Sequence, residues 1–201
     1  MNRLRTNDAC WCGSKKKFKR CHGDFTRSRR APVHAGQMGP PRSVPSDIKA
    51  PEYVTTGNPG PPVVQQLTGD KLDRMRLAGR VAAEVLLEVG RAAVAGVTTD
   101  DLDEVAHEAY LERGAYPSTL HYRGYRKSLC TSVNEVICHG IPDDRALADG
   151  DIVNLDITAY IEGMHGDTSA TFLVGSVDPT VQALVETARE ATYAGIAAVR
   201  P

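Results

Sequence analysis

Residues 151–172, DIVNLDITAYIEGMHGDTSATF, constrain the fold of this chain more than any other stretch. Side chains in a strand alternate faces, so Val153, Leu155 and Ile157 go to one side and Asn154, Asp156 and Thr158 to the other. If Glu162-Gly163 makes a two-residue turn, the chain folds back as an antiparallel partner on which Asp167, Ser169 and Thr171 share a face. Asp167 then lies opposite Thr158 and diagonal to Asp156, which brings the two carboxylates within about 5 to 8 Å. Burying two like charges that close is unfavourable unless a cation sits between them. Hard divalent ions with oxygen ligands, often paired about 3.5 to 4 Å apart in hydrolytic sites, suit such a place. The same alternation also suits a hairpin whose polar face is simply solvated, with both Asp side chains pointing to water.

Around the hairpin the chain divides into three by composition. Residues 1–24 hold three of the five cysteines. Residues 25–62 hold eight of the twelve prolines, carry no apolar periodicity, and read as an extended Pro/Gly-rich linker that wraps or tethers rather than packs. From residue 63 to 201 the pattern is that of a folded domain. Leu72, Met75, Ala78, Ala82, Val85, Leu86 and Val89 recur at helical spacing, with Thr68 as N-cap. A second helix follows Thr99, buries Leu102, Val105, Ala106, Ala109 and Tyr110, and stops at Gly114. Strands are expected over 128–133, 136–138, 152–160 and 164–174, and Asp178-Pro179 opens a last helix. Helices followed by mostly antiparallel strands and a helix make an α+β fold.

Net charge is −1 overall, yet residues 1–30 carry ten Lys or Arg against two Asp, leaving −9 for the remainder. A basic arm of this kind contacts nucleic acid or another polyanion, or else only solubilises the chain. Within it, Cys10, Cys12, Cys21 and His22 have the spacing C-x-C-x8-C-H. Three thiolates and an imidazole suffice for one tetrahedral structural Zn, and an odd cysteine count in a chain without a signal peptide argues against a disulfide framework. The segment resembles the SEC-C zinc motif through Gly13, Ser14, Lys15, Lys16, Phe18 and Lys19. Its Lys side chains, interleaved with Trp11 and Phe18, are suited to RNA phosphates and bases, and RNA and protein partners both remain open. No apolar stretch approaches the ~20 residues of a membrane span, and a cytoplasmic protein is expected.

The strings KSLCTSVNEVICHGIPDD (127–144) and DGDIVNLDITAYIEGMHGDTSAT (149–171), preceded by Gly96-Val97-Thr98-Thr99-Asp100 and Gly114-Ala115-Tyr116-Pro117-Ser118, closely resemble the metal-binding core of type I methionine aminopeptidases. The resemblance implies the pita-bread fold, in which two similar α/β halves enclose a dinuclear metal site. It covers roughly residues 65–201, which correspond to the first half only. The second half would supply a His and two Glu ligands, so the 201-residue chain is expected to be an incomplete catalyst.

By this resemblance Asp156 and Asp167 ligate two divalent ions (Co, Mn, Fe or Zn), Asp167 bridging them, and the ions activate a water and capture the substrate's α-amine. His139, in Cys138-His139-Gly140-Ile141-Pro142, corresponds to the histidine that hydrogen-bonds substrate. Tyr122, Tyr125 and Cys130 line the methionine side-chain pocket, whereas His121 and Arg126 depart from the family pattern around it. Asn154 would support the Asp156 strand. The implied function is removal of N-terminal methionine from nascent polypeptides, with the ribosome or rRNA as partner of the basic arm. Two alternatives stand beside it: another pita-bread exopeptidase such as an X-Pro aminopeptidase, and a noncatalytic zinc-finger adaptor that binds ribosomes or RNA.

Overall fold

A computed structural model describes residues 5–10, 14–21, 33–61 and 66–200. The chain divides into two units, 1–34 and 35–201. In the smaller unit the backbone doubles back on itself. Ala9 bridges Lys17, Cys10 N–H donates to Lys16 O, Phe18 N–H donates to Asp8 O, and a 3-10 turn spans Phe18–Arg20. Cys10 is buried there, and Ser14 Oγ lies 3.3 Å from Cys21 Sγ. Cys12 and His22, expected to complete a metal set, lie outside the described residues, as does Trp11.

The larger unit is built on a four-stranded antiparallel sheet. Strands β1 (Tyr116–Pro117), β2 (Cys130–Val133), β3 (Ile152–Ile161) and β4 (Met164–Leu173) are arranged with β4 along the full length of one edge of β3, and β2 and β1 in succession along the other. The β3–β4 register is the one alternation demands, with Thr158 opposite Asp167 and Ile161 opposite Met164. Glu162 and Gly163 both take positive φ, 52° and 80°, the conformation of a two-residue hairpin turn.

Val153, Leu155, Ile157 and Ala159 of β3 are fully buried on one face. Covering that face is helix α2 (Asp70–Ala92), which buries Ala78, Val81, Ala82, Val85, Leu86 and Val89. A Cβ on Gly166 would collide with the α2 backbone at Ala78, and Gly90 of α2 lies against the Phe172 ring. The two contacts run in the same order along both elements, so α2 lies along the back of β4 and parallel to it. Helix α3 (Thr99–Glu112) packs on α2 and begins with a capping box, Thr98 Oγ1 accepting from Asp101 N–H and Asp101 accepting from Thr98 N–H. Helix α4 (Pro179–Ala198) starts at Asp178 with Pro179 in its first turn, and none of its described residues is buried.

Three expectations are corrected. Helix α2 starts after Gly69 rather than Thr68, with no side-chain cap, and the acidic residues Asp70 and Asp73 of its first turn complement the helix dipole instead. Residues 136–138 are not a strand: Asn134, at φ 53°, ends β2, and the chain turns back on itself through Val136 N–H to Val133 O, leaving Ile137 95% exposed. The Pro-rich region is extended, yet within 35–61 it packs. It carries the helical turn α1 (Tyr53–Thr56), and Pro51 and Tyr53 are buried.

Candidate metal centre and substrate cleft

On the face of the sheet opposite α2, the polar half of the alternation forms the floor of a cleft of about 920 Å³. Asp156 and Thr158 from β3, His165 and Asp167 from β4, and Cys130 from β2 all line it. Cys130 and Asp156 are register partners, so they point to the same side by construction. The six residues expected at the catalytic site, Tyr122, Tyr125, Cys130, His139, Asp156 and Asp167, are all brought to this one cleft.

The two carboxyl groups lie near enough for the charge of Asp167 to act on Asp156. Burial first, and then the charge of Asp167, push the Asp156 carboxyl above its ordinary range, while His139 opposes the shift. Thr158 Oγ1 donates to Asp167 Oδ1 at 3.1 Å. Among the described residues neither carboxylate has a Lys or Arg ion-pair partner. Two oxygen-donor groups held together without a counter-cation fit a hard divalent ion. They do not form a complete ligand set, since among the described residues no three His, Cys, Asp or Glu side chains are arranged to hold a metal.

His139 owes its place to its neighbours. It sits at φ 54°, and Gly140 beside it is pinned to β2 on both sides, Thr131 N–H donating to Gly140 O at 2.8 Å and Gly140 N–H to Ser132 Oγ at 3.1 Å. A Cβ on Gly140 would run into Thr131 O, so this close approach requires glycine. The Tyr125 hydroxyl lies 3.0 Å from Leu129 O and 3.2 Å from Gly140 O, which ties the Tyr122–Tyr125 loop to the histidine loop. Burial pushes the Cys130 thiol up to about 11, keeping it neutral and apolar in character as a cleft wall.

Some of the cleft was not foreseen from sequence. Met38, Tyr53 and Pro59 line it from the Pro-rich region, where composition gave no signal for them. His165 lines it too, and it could have been found, because it shares the alternating face of Asp167. Its Nδ1 lies 2.9 Å from Ser118 Oγ, and burial lowers its basicity.

Two carboxylates on the floor of an open cleft, without a Lys or Arg ion-pair partner among the described residues, have the donor chemistry that a divalent ion favours. The signature of Metallopeptidase family M24 matches residues 73–201, and the chain belongs to that family, whose members are metal-dependent and so imply divalent ions in general. A SEC-C motif matches residues 7–24. Methionine aminopeptidase 2 of Mycobacterium tuberculosis is 51% identical over 86% of this chain and 61% of its own length. The human mitochondrial methionine aminopeptidase 1D is 46% identical over 78% of this chain and 48% of its own. The crystal structure of methionine aminopeptidase from Rickettsia prowazekii superposes with a TM-score of 0.67 at 40% identity, over 69% of this chain and 56% of that one. These matches establish the pita-bread type of fold for the part of the chain that they cover. The chain thus spans about half to three-fifths of the length of these relatives.

Proposed function

We propose that this chain carries Asp156, Asp167 and His139 of a methionyl aminopeptidase that removes the N-terminal methionine from nascent polypeptides. The observation that carries the reading is the convergence of two carboxylates, one histidine and a Tyr/Cys wall in a single cleft. The names of relatives at 46–51% identity support the substrate. Asp156 and Asp167 would hold two divalent ions, Co, Mn, Fe or Zn. Bound there, such ions would supply the Lewis acidity that activates a water and anchors a free α-amine. His139, an exposed residue that lines the same cleft, would hydrogen-bond the substrate's peptide group. Tyr122, Tyr125 and Cys130 present the polarizable, uncharged surface that a thioether side chain favours.

The reading extends to the organisation of the chain: a zinc motif over 1–24, a connecting segment over 25–62, and the catalytic region from 63 onward. Cys10, Cys12, Cys21 and His22 would hold one structural Zn, a reading supported by the SEC-C match and by the buried Cys10. The basic surface around them would meet the ribosome or rRNA, which suits a cytoplasmic enzyme acting on new chains. Among the described residues no helix is long and apolar enough to cross a membrane.

The test is release of methionine from Met-Ala-Ser by the enzyme containing this chain, with Co or Mn added. Asp167→Asn should abolish turnover, and turnover near the wild-type rate with unchanged metal content would reject the assignment.

A further inference from the structure

The Pro-rich segment 35–61 is fastened to the domain at several points along its length. Gly36 N–H donates to Asp143 Oδ2 at 2.7 Å, Gln37 N–H donates to Asp144 Oδ1 at 2.8 Å, and Asp144 N–H returns a bond to Gln37 O. A few residues on, Arg42 Nε lies 3.1 Å from the fully buried Asp103, and its Nη2 reaches both Asp100 and Glu104. His107 Nε2 lies 2.9 Å from Ser43 O, while its Nδ1 lies 2.8 Å from Ser128 Oγ. A carbonyl only accepts, so Nε2 carries a proton and donates to Ser43 O. Met38 therefore sits between two clamps, one residue after the first and four before the second. A tether would need neither.

Farther along, Tyr53 reaches into the cleft. Its hydroxyl donates to Ser118 O, its ring meets Tyr122 edge-on at 5.3 Å, and it stacks on His165 at 6.2 Å. Tyr122 belongs to the pocket wall, and His165 stands two residues from Asp167 on the same strand face. One side chain from the segment thus braces both the wall and the floor. The clamps connect to the same wall from behind, because Asp103, which holds Arg42, also accepts from Ser128 N–H at 2.6 Å, two residues before Cys130.

Resting on the methionyl aminopeptidase reading above, we infer that segment 35–61 is a specificity wall of the substrate cleft: Met38 contacts the bound side chain directly, and Tyr53 is a positioning residue that fixes Tyr122 and His165. The segment then sets how wide a side chain the cleft admits, through contacts that alternation and helical periodicity cannot encode.

The test uses the whole enzyme that contains this chain, labelled with 13C at the methionine methyls, of which residues 1–201 hold four: Met1, Met38, Met75 and Met164. Unlabelled L-methionine is titrated in with Zn, and the His139 amide is followed in parallel. The Met38 methyl should shift saturably together with the His139 amide, while Met75, on α2 and away from the cleft, stays in place and reports that each variant is folded. Tyr53→Ala and Met38→Ala should weaken the apparent affinity about 10-fold, the loss expected on deleting an aromatic or thioether contact. Tyr53→Phe, which keeps the ring and loses only the bond to Ser118, should retain most of it. A His139 amide that shifts while Met38 does not, with unchanged affinity in both Ala variants, would overturn the specificity wall and leave the proposed function standing. If neither His139 nor Met38 responds to methionine, the functional reading fails and the inference fails with it.

Discussion

The hairpin floor and the Pro-rich segment contribute to the same cleft, yet they are held by opposite means. On the floor every residue from Ile152 to Leu173 outside the turn is fixed by a repeating ladder, so one register decides the orientation of Asp156, Thr158, His165 and Asp167 together. Along the segment the backbone has no ladder, and a handful of contacts to buried charged groups decides its course. The first is a distributed constraint, tolerant of loss at any single side chain. The second is concentrated in a few atoms, above all the cluster of Arg42, Asp100, Asp103 and Lys127, in which Lys127 is 1% exposed and bonded to Asp100.

That contrast can be broken most forcefully at the buried charges. Lys127→Met removes a buried cation that bonds Asp100 and lies 3.8 Å from Asp103, leaving Arg42 to balance both carboxylates, and should cost about 3 kcal/mol in chemical denaturation, the low end of the penalty for breaking a buried ion pair. On the floor, a comparable loss requires attacking the helix contact rather than a polar side chain. Gly166→Val would drive Cβ into the α2 backbone at Ala78 and should cost on the order of 1 to 3 kcal/mol, with the hairpin register retained. Arg42→Ala should be milder, about 1 to 2 kcal/mol, because Lys127 remains 3.8 Å from Asp103. Its effect should be local, with amide exchange rising over residues 36–43 and not over β3. Equal acceleration in both regions would erase the distinction between distributed and concentrated constraint.

The smallest effect concerns Cys130, the register partner of Asp156 in the cleft. Its folded value of about 11 lies above the ordinary 9.0 because burial disfavours the thiolate. The native state therefore holds a proton that the unfolded state releases between those values, and stability falls as pH rises through 9 to 11. By the same shift only about one thiol in a thousand is ionised at pH 8, so alkylation of Cys130 should be slow and should speed up about tenfold per pH unit. Peptide mapping against the exposed Cys138 checks this. Fast labelling of Cys130 at pH 8 would mean the wall is open to solvent.

What the sequence reveals of this molecule follows the same division. The hairpin, its turn at Glu162-Gly163 and the placement of Asp167 opposite Thr158 follow from period-two alternation, and the strings around them carried the family resemblance. Helices α2 and α3 follow from apolar spacing, although Asp103 and His107 of α3, buried with charged or polar partners, do not register as core by that criterion. Val136–Cys138 has the composition of a strand, but Asn134 in the left-handed region turns the chain away from its partner. The cleft-lining roles of Met38, Tyr53 and Pro59 were hidden because Pro and Gly report only that a segment lacks regular structure, not whether it is fastened. Long-range contacts such as Arg42 to Asp103 leave no local pattern to read.

The central claim is that Asp156 and Asp167 act as one donor set for a divalent ion. Manganese is the probe of choice, because a hard ion does not compete for the thiolates of the amino-terminal motif. Bound Mn at fixed free concentration should be measured for wild type, Asp156→Asn, Asp167→Asn and the double variant. The account predicts that either single substitution removes as much Mn as the double one does. Additive partial losses, or wild-type Mn in either single variant, would contradict it.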